Sequence, residues 1–300
     1  MLDVAHLGGI VPPIATPLNA DESVDEGALR RLVRHLLQGG VHGIFALGTT
    51  GEFAALTDEE RRKVAEIVIS EAGGKVPVFV GTGAPSTKLA ITQGKMAEEV
   101  GADAIVALLP YYYALNSLEE QVEHFESLLK ETSLPMLLYN IPQCTKHNLR
   151  LDVVEKMREH PQVVGIKDSS ENYPYFRTLL HMAGAAFRVF QGSEALAGSS
   201  LLMRANGAVL GIANLAPRLC VALWDAAQKD DAAAVREIQH TLDQLNKIYF
   251  FEGTSSVGGL KAALSMIGIC QPYVTRPLAP ASPSARARIE AEVKRFRDQF

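Results

Sequence analysis

Cysteine is scarce in this sequence, and Cys144, Cys220 and Cys270 stand far apart. None has the C-x-x-C spacing of a zinc or redox motif, and three scattered thiols make no disulfide framework. A reducing compartment, the cytoplasm, is the expected setting. Positive charge is also short: 29 Lys and Arg stand against 34 Asp and Glu, a formal net charge of -5. Nothing in that balance would draw the chain to nucleic acid or to an anionic membrane. No apolar run approaches the length that spans a bilayer. The opening Met1–His6 lacks a basic stretch followed by an apolar one, so no secretory signal is expected. There is no G-x-G-x-x-G or Walker loop, so no nucleotide cofactor is expected either.

What is present is a hydrophobic share of 47% over 300 residues, enough for a large core. The apolar residues fall into eight short runs: 10–16, 43–48, 76–82, 104–110, 135–140, 163–168, 187–192 and 207–211. Between them lie helix-like stretches with recognisable starts and stops. Thr57 with Glu60 spells a capping box, Ser86-Thr87 opens the next helix, and Asn116-Ser117 the one after. Gly39-Gly40, Gly73-Gly74 and Gly101 mark helix exits. Strands alternating with helices imply a parallel sheet, and eight such units suit a closed (β/α)₈ TIM barrel. The rhythm changes near Ala227. Val235, Ile238, Leu242, Leu245 and Ile248 recur at helical spacing, as do Ile289, Val293, Phe296 and Phe300. The expected organisation is therefore a barrel over residues 1–229 and a C-terminal helical extension over 230–300. Within the extension, Gly253–Gly259 reads as a loop before a short helix, Leu260–Ile267.

Active sites of such barrels lie at the C-terminal ends of the strands. The sixth run, Val163-Val164-Gly165-Ile166-Lys167-Asp168, is apolar until it delivers a lysine. Lysine is rarely buried unless paired or used. Desolvation disfavours the ammonium, and a lysine made partly neutral attacks carbonyls to form Schiff bases. A strand-end lysine that simply reaches solvent is the bland alternative. Strand alternation turns Asp168 to the opposite face, so it reads as structural.

The second run ends in Gly48-Thr49-Thr50-Gly51-Glu52. Two hydroxyls between glycines, with approachable backbone N–H groups, can hold a carboxylate; they can equally cap the next helix. Tyr139, at the end of the fifth run, could shuttle a proton near Lys167 or be a core tyrosine. Tyr111-Tyr112-Tyr113 follows the fourth run and could be an aromatic loop packed on a neighbour. No histidine sits at a predicted strand end, and no His and carboxylate cluster converges, so no metal site is expected.

Gly48-Thr49-Thr50-Gly51-Glu52, Tyr139-Asn140-Ile141-Pro142 with Thr145, and Gly165-Ile166-Lys167-Asp168 resemble the dihydrodipicolinate synthase / N-acetylneuraminate lyase family. The similarity runs over nearly the whole chain. It implies pyruvate-type Schiff-base chemistry in a barrel with a helical extension, and a tetramer of two tight dimers. By position, the resemblance implies that Lys167 forms the imine and Thr49 and Thr50 hold the keto acid's carboxylate. Tyr139 would move protons, Tyr112 would reach the neighbouring subunit's site, and the backbone of Val209 would line the pocket.

Two positions depart from the family pattern. The lysine-biosynthetic synthases place an arginine where Cys144 stands, and a thiol cannot make a guanidinium fork to a second carboxylate. The sialic-acid lyases carry an acidic pair after the seventh strand, where Gly192-Ser193-Glu194-Ala195 keeps one acid. Cys144 and Glu194 are therefore the candidate contacts to the second substrate. The expectation is a class I lyase of pyruvate or a related 2-oxo acid, such as a 2-keto-3-deoxy sugar acid, with an aldehyde as partner. An authentic dihydrodipicolinate synthase and a non-catalytic keto-acid-binding homologue are the alternatives.

Overall fold

The computed structural model describes residues 2–300. Its eight strands are β1 (Gly9–Ile10), β2 (Ile44–Ala46), β3 (Val78–Gly81), β4 (Ala104–Leu108), β5 (Met136–Asn140), β6 (Val163–Asp168), β7 (Arg188–Gln191) and β8 (Gly207–Ala208). All pair in parallel, in the order β1-β8-β7-β6-β5-β4-β3-β2. The two ends of that order meet. Phe45 N donates to Pro12 O at 2.9 Å, Ile14 N to Phe45 O at 2.9 Å, and His42 N to Ile10 O at 2.8 Å. The sheet is thus curled into a TIM-barrel-like α/β fold.

The regular part of β1 is shorter than the run 10–16 that predicted it. Pro12 and Pro13 have no N–H to give a ladder. The chain still runs beside β2, joined by the isolated Pro13–Phe45 bridge and the bonds above.

The helices begin where side chains replace missing backbone acceptors. Thr57 and Ser117 each complete a capping box, with Glu60 and Glu120, at the helices Asp58–Ala72 and Leu118–Glu131. Buried between its neighbours in the sheet, β6 is shielded at all six positions. Gly165 is required there: a Cβ would stand 2.3 Å from the carbonyl oxygen of Arg188 on β7. Inside the sheet Phe45, Phe79, Val106, Leu137 and Phe190 fill the space below Lys167 and leave about 10 Å³, near the minimum for one water.

Beyond the barrel lie the helices Ala232–Leu245, Ser256–Met266 and Pro283–Arg295. Val235, Leu242, Leu245, Ile289 and Val293 are buried as their spacing predicts, while Ile238, Phe296 and Phe300 are half-buried. The middle helix starts at Ser256, four residues earlier than the sequence suggests. Ser255 caps it by accepting from Gly258 N at 3.1 Å. Gly258 and Gly259 look like a loop but serve packing: a Cβ on Gly259 would meet Ile248 O at 2.1 Å.

Candidate active site

Lys167 is 4% exposed. Its Nζ lies 4.1 Å from the ring centre of Tyr139 and 5.1 Å from that of Phe45. Both rings present a π-face that stabilises an ammonium. Tyr139 and Lys167 are register partners across β5 and β6. Gly192, just past β7, clears room for the lysine arm: a Cβ there would fall 3.0 Å from Lys167 Cε and 2.1 Å from Ser169 Oγ. Asp168 faces away, as alternation predicts. It accepts from Asn140 Nδ2 at 2.8 Å and Ser170 Oγ at 2.9 Å, and burial raises its carboxyl to about 6.

Thr49, Thr50 and Gly51 form one 3₁₀ turn at the mouth above β2. Two non-glycine residues in left-handed conformation bracket it, Leu47 with φ 58 and Glu52 with φ 59. Such backbone costs on the order of 1–3 kcal/mol per residue and persists only where surroundings enforce it. Thr16 Oγ1 donates to Gly51 O at 2.7 Å and fixes the turn from below.

The cavity between these elements holds about 310 Å³. Thr49, Thr50, Tyr139, Lys167, Glu194 and Val209, six of the eight residues singled out from sequence, line it together. Glu194 Oε1 accepts from Gly211 N at 2.8 Å and from Ile212 N at 3.3 Å. Burial pushes its carboxyl above the ordinary range, against the pull of those bonds and of nearby Lys167.

Tyr249, on the same wall, was not anticipated. It belongs to the short turn Asn246–Tyr249, and apolar spacing pointed only to its neighbour Ile248. Its hydroxyl is buried without a hydrogen-bond partner. A Cβ on Gly211 would sit 3.1 Å from that oxygen, 3.2 Å from Glu194 Oε1 and 3.6 Å from Thr50 Oγ1. Glycine keeps that polar corner open. Gln143, Ser169 and Glu171 add further polar groups to the rim.

Cys144 and Tyr112 lie elsewhere. Cys144 lines an adjoining cavity of about 360 Å³ with Phe53, Leu108, Tyr111 and Val257, and meets the Lys167 cavity only through shared walls such as Thr49. It follows Gln143 in the short helix Pro142–Thr145, and one helical step turns it off the wall that Gln143 takes. Partial burial pushes its thiol up. Tyr112 is 76% exposed, packed edge-to-face on Tyr113, and lines no part of the Lys167 cavity.

Among the described residues no group of three His, Cys, Asp or Glu could hold a metal ion, and no helix is long and apolar enough to cross a membrane. The dihydrodipicolinate synthetase family profile matches residues 6–296, and the chain belongs to that family. It is 35% identical over 288 residues to the 4-hydroxy-tetrahydrodipicolinate synthase of Neisseria meningitidis serogroup B, covering 96% of this chain and 98% of that one. It is 34% identical to a DapA-like lyase of Halobacterium salinarum over 97% of this chain and 94% of the relative. Among solved structures, dihydrodipicolinate synthase from Bacteroides thetaiotaomicron superposes with a TM-score of 0.91 at 36% identity, over 96% of this chain and 98% of that one. YagE of Escherichia coli K12, solved in complex with pyruvate, gives 0.92 at 29% identity, over 97% and 99%.

Proposed function

We propose that this protein is a Schiff-base-forming lyase of pyruvate or a related 2-oxo acid, working by aldol cleavage or addition, or by dehydration of a 2-keto-3-deoxy sugar acid. One observation carries the reading: Lys167 Nζ is buried at the floor of a polar cavity, against the Tyr139 ring, with the Thr49–Thr50 turn on the cavity wall.

The chemistry follows from that placement. The free amine of Lys167 adds to the keto carbon, and loss of water gives the imine. The protonated imine is an electron sink, so a C–H or C–C bond one carbon away breaks to leave an enamine. Thr49 and Thr50 hydroxyls and their backbone N–H groups receive the carboxylate and align the keto carbon with the amine. Tyr139 carries protons between the reacting groups. Glu194 and Tyr249 face the second substrate, which therefore presents hydroxyls in that corner. Val209 supplies wall. Cys144 borders the neighbouring apolar space and brings no charge to the second substrate.

Dihydrodipicolinate synthesis is the second reading, and the names of the Neisseria and Bacteroides relatives support it. The absence of a guanidinium at Cys144 weighs against it. A non-catalytic keto-acid binder would have little use for a buried amine beside a tyrosine. We further infer a tetramer in which Tyr112 reaches a neighbouring site, because Tyr112 and Tyr113 stand 76% and 73% exposed. Residues 230–300 are proposed as a distinct helical extension on a barrel of residues 1–229, and the cytoplasm as its location.

Borohydride reduction in the presence of pyruvate, read by intact mass and peptide mapping, tests the reading. The expected adduct is on Lys167 and nowhere else. Lys167→Ala protein that still labels and turns over normally would overturn it. A panel of aldehydes and 2-keto-3-deoxy acids then selects the partner.

A further inference from the structure

Among the described residues Lys261 is the most deeply enclosed cation, 0% exposed in the helix Ser256–Met266. Its Nζ lies 2.5 Å from Glu52 Oε1, and the Glu52 side chain is itself 2% exposed. The other carboxylate oxygen accepts from Thr275 N and Thr275 Oγ1, each at 2.7 Å. Burial drags the lysine below its ordinary value while the facing carboxylate raises it. Hydrophobic residues of the same volume often stabilise a fold as well as a buried ion pair does, so stability alone is a poor reason for this one.

Its place in the fold supplies a better one. Glu52 directly follows the Thr49–Gly51 turn and holds φ 59, a conformation that its own backbone disfavours. Only its side chain is gripped from the C-terminal part of the molecule. The helix that grips it also gives Ser256, Val257 and Leu260 to the cavity wall. Released from Lys261 and Thr275, Glu52 would lose that grip, and the turn would be held only by Thr16 and its own backbone bonds.

We propose that Lys261 is a positioning residue: through Glu52 it holds the Thr49–Thr50 turn in the shape that receives the carboxylate of the 2-oxo acid. This rests on the Schiff-base reading above. Lys261 touches no substrate.

The test compares pyruvate with hydroxyacetone, a ketone without a carboxylate, in borohydride trapping across a range of ketone concentrations. The proteins are wild type, Glu52→Gln, Lys261→Met and the double variant, each with its melting temperature. In Glu52→Gln the pyruvate concentration for half-maximal trapping should rise by about tenfold, the worth of a charge-assisted hydrogen bond. Hydroxyacetone trapping should stay within about twofold of wild type, since the amine and its rings are unchanged. The double variant should match Glu52→Gln, because Lys261 acts only through that carboxylate.

Unchanged pyruvate saturation in the Glu52 variants would overturn the proposal. Equal losses for both ketones would mean general damage and would overturn it too, as would a full further loss in the double variant. Lys261→Met strands a buried carboxylate and Glu52→Gln a buried ammonium, so either single variant could fail to fold; the double variant carries neither charge and decides the matter. If wild type traps neither ketone, the Schiff-base reading itself has failed, which is a separate result.

Discussion

Lys167 and Tyr139 are register partners on adjacent parallel strands, and the nitrogen of the first stands 4.1 Å from the ring centre of the second. The ring and the hydroxyl of Tyr139 can therefore be separated by experiment. Tyr139→Phe keeps the ring against the amine and removes the proton carrier. Imine trapping with pyruvate should stay close to wild type while turnover falls by about 10²-fold or more, the usual loss for a general acid–base group. Parallel losses in trapping and turnover would mean that the hydroxyl serves only to hold the lysine.

Cys144 gives the clearest handle on the second substrate. A bidentate guanidinium supplies charge and planarity that a thiol lacks. The partly shielded thiol also stays protonated, since burial pushes its pKa up. Cys144→Arg should raise kcat/KM for aspartate semialdehyde by about tenfold or more, from a weak starting value. Wild-type protein that uses aspartate semialdehyde as well as the best sugar acid would restore the synthase reading.

Acid should weaken the fold through His124. The ring is 2% exposed, donates from Nε2 to Leu108 O at 3.1 Å, and accepts at Nδ1 from Thr87 Oγ1 at 2.9 Å. Burial holds its pKa down to about 4 from 6.5. Between those values the unfolded chain binds the proton and the folded one does not, so stability is lost as pH falls from 6.5 toward 4. The full shift corresponds to about 3 kcal/mol. Asp168, raised to about 6, acts in the opposite sense and is common to wild type and variant. In His124→Asn the melting temperature should be lower at pH 7 and should fall less between pH 6.5 and 4. A variant whose melting curve tracks wild type down to pH 4 would contradict this.

Much of the fold was legible because it depends on local chemistry. All eight apolar runs became strands, and the capping boxes at Thr57 and Ser117 start helices. The errors share a cause. Pro12-Pro13 cut the regular ladder of β1, and Gly258-Gly259 hid the start of a helix in which Gly259 answers to Ile248 on another turn and Gly258 to Thr254, Ser255 and Ala279. Strand-end logic brought Lys167, Tyr139, Thr49, Thr50 and Glu194 to one cavity, and the family resemblance added Val209. It could not find Tyr249 or Lys261. Both lie beyond the barrel strands, where helical periodicity marks apolar neighbours and says nothing of a polar group pointing inward. Glu52 stood in the quoted motif, but its partner is 209 residues away, a separation no local pattern encodes.

The packed rings of Phe45, Phe79 and Phe190 make the barrel a blind passage, with the amine of Lys167 at its end. Everything that reaches that nitrogen comes and goes by one opening. On the Schiff-base reading the 2-oxo acid binds deepest, so in aldol addition it arrives before the aldehyde, and in cleavage it departs after it. Kinetic order is thus imposed by architecture: an excess of the outer reactant would seal the empty passage and slow the enzyme, and the last product released would be the one that competes with the first substrate.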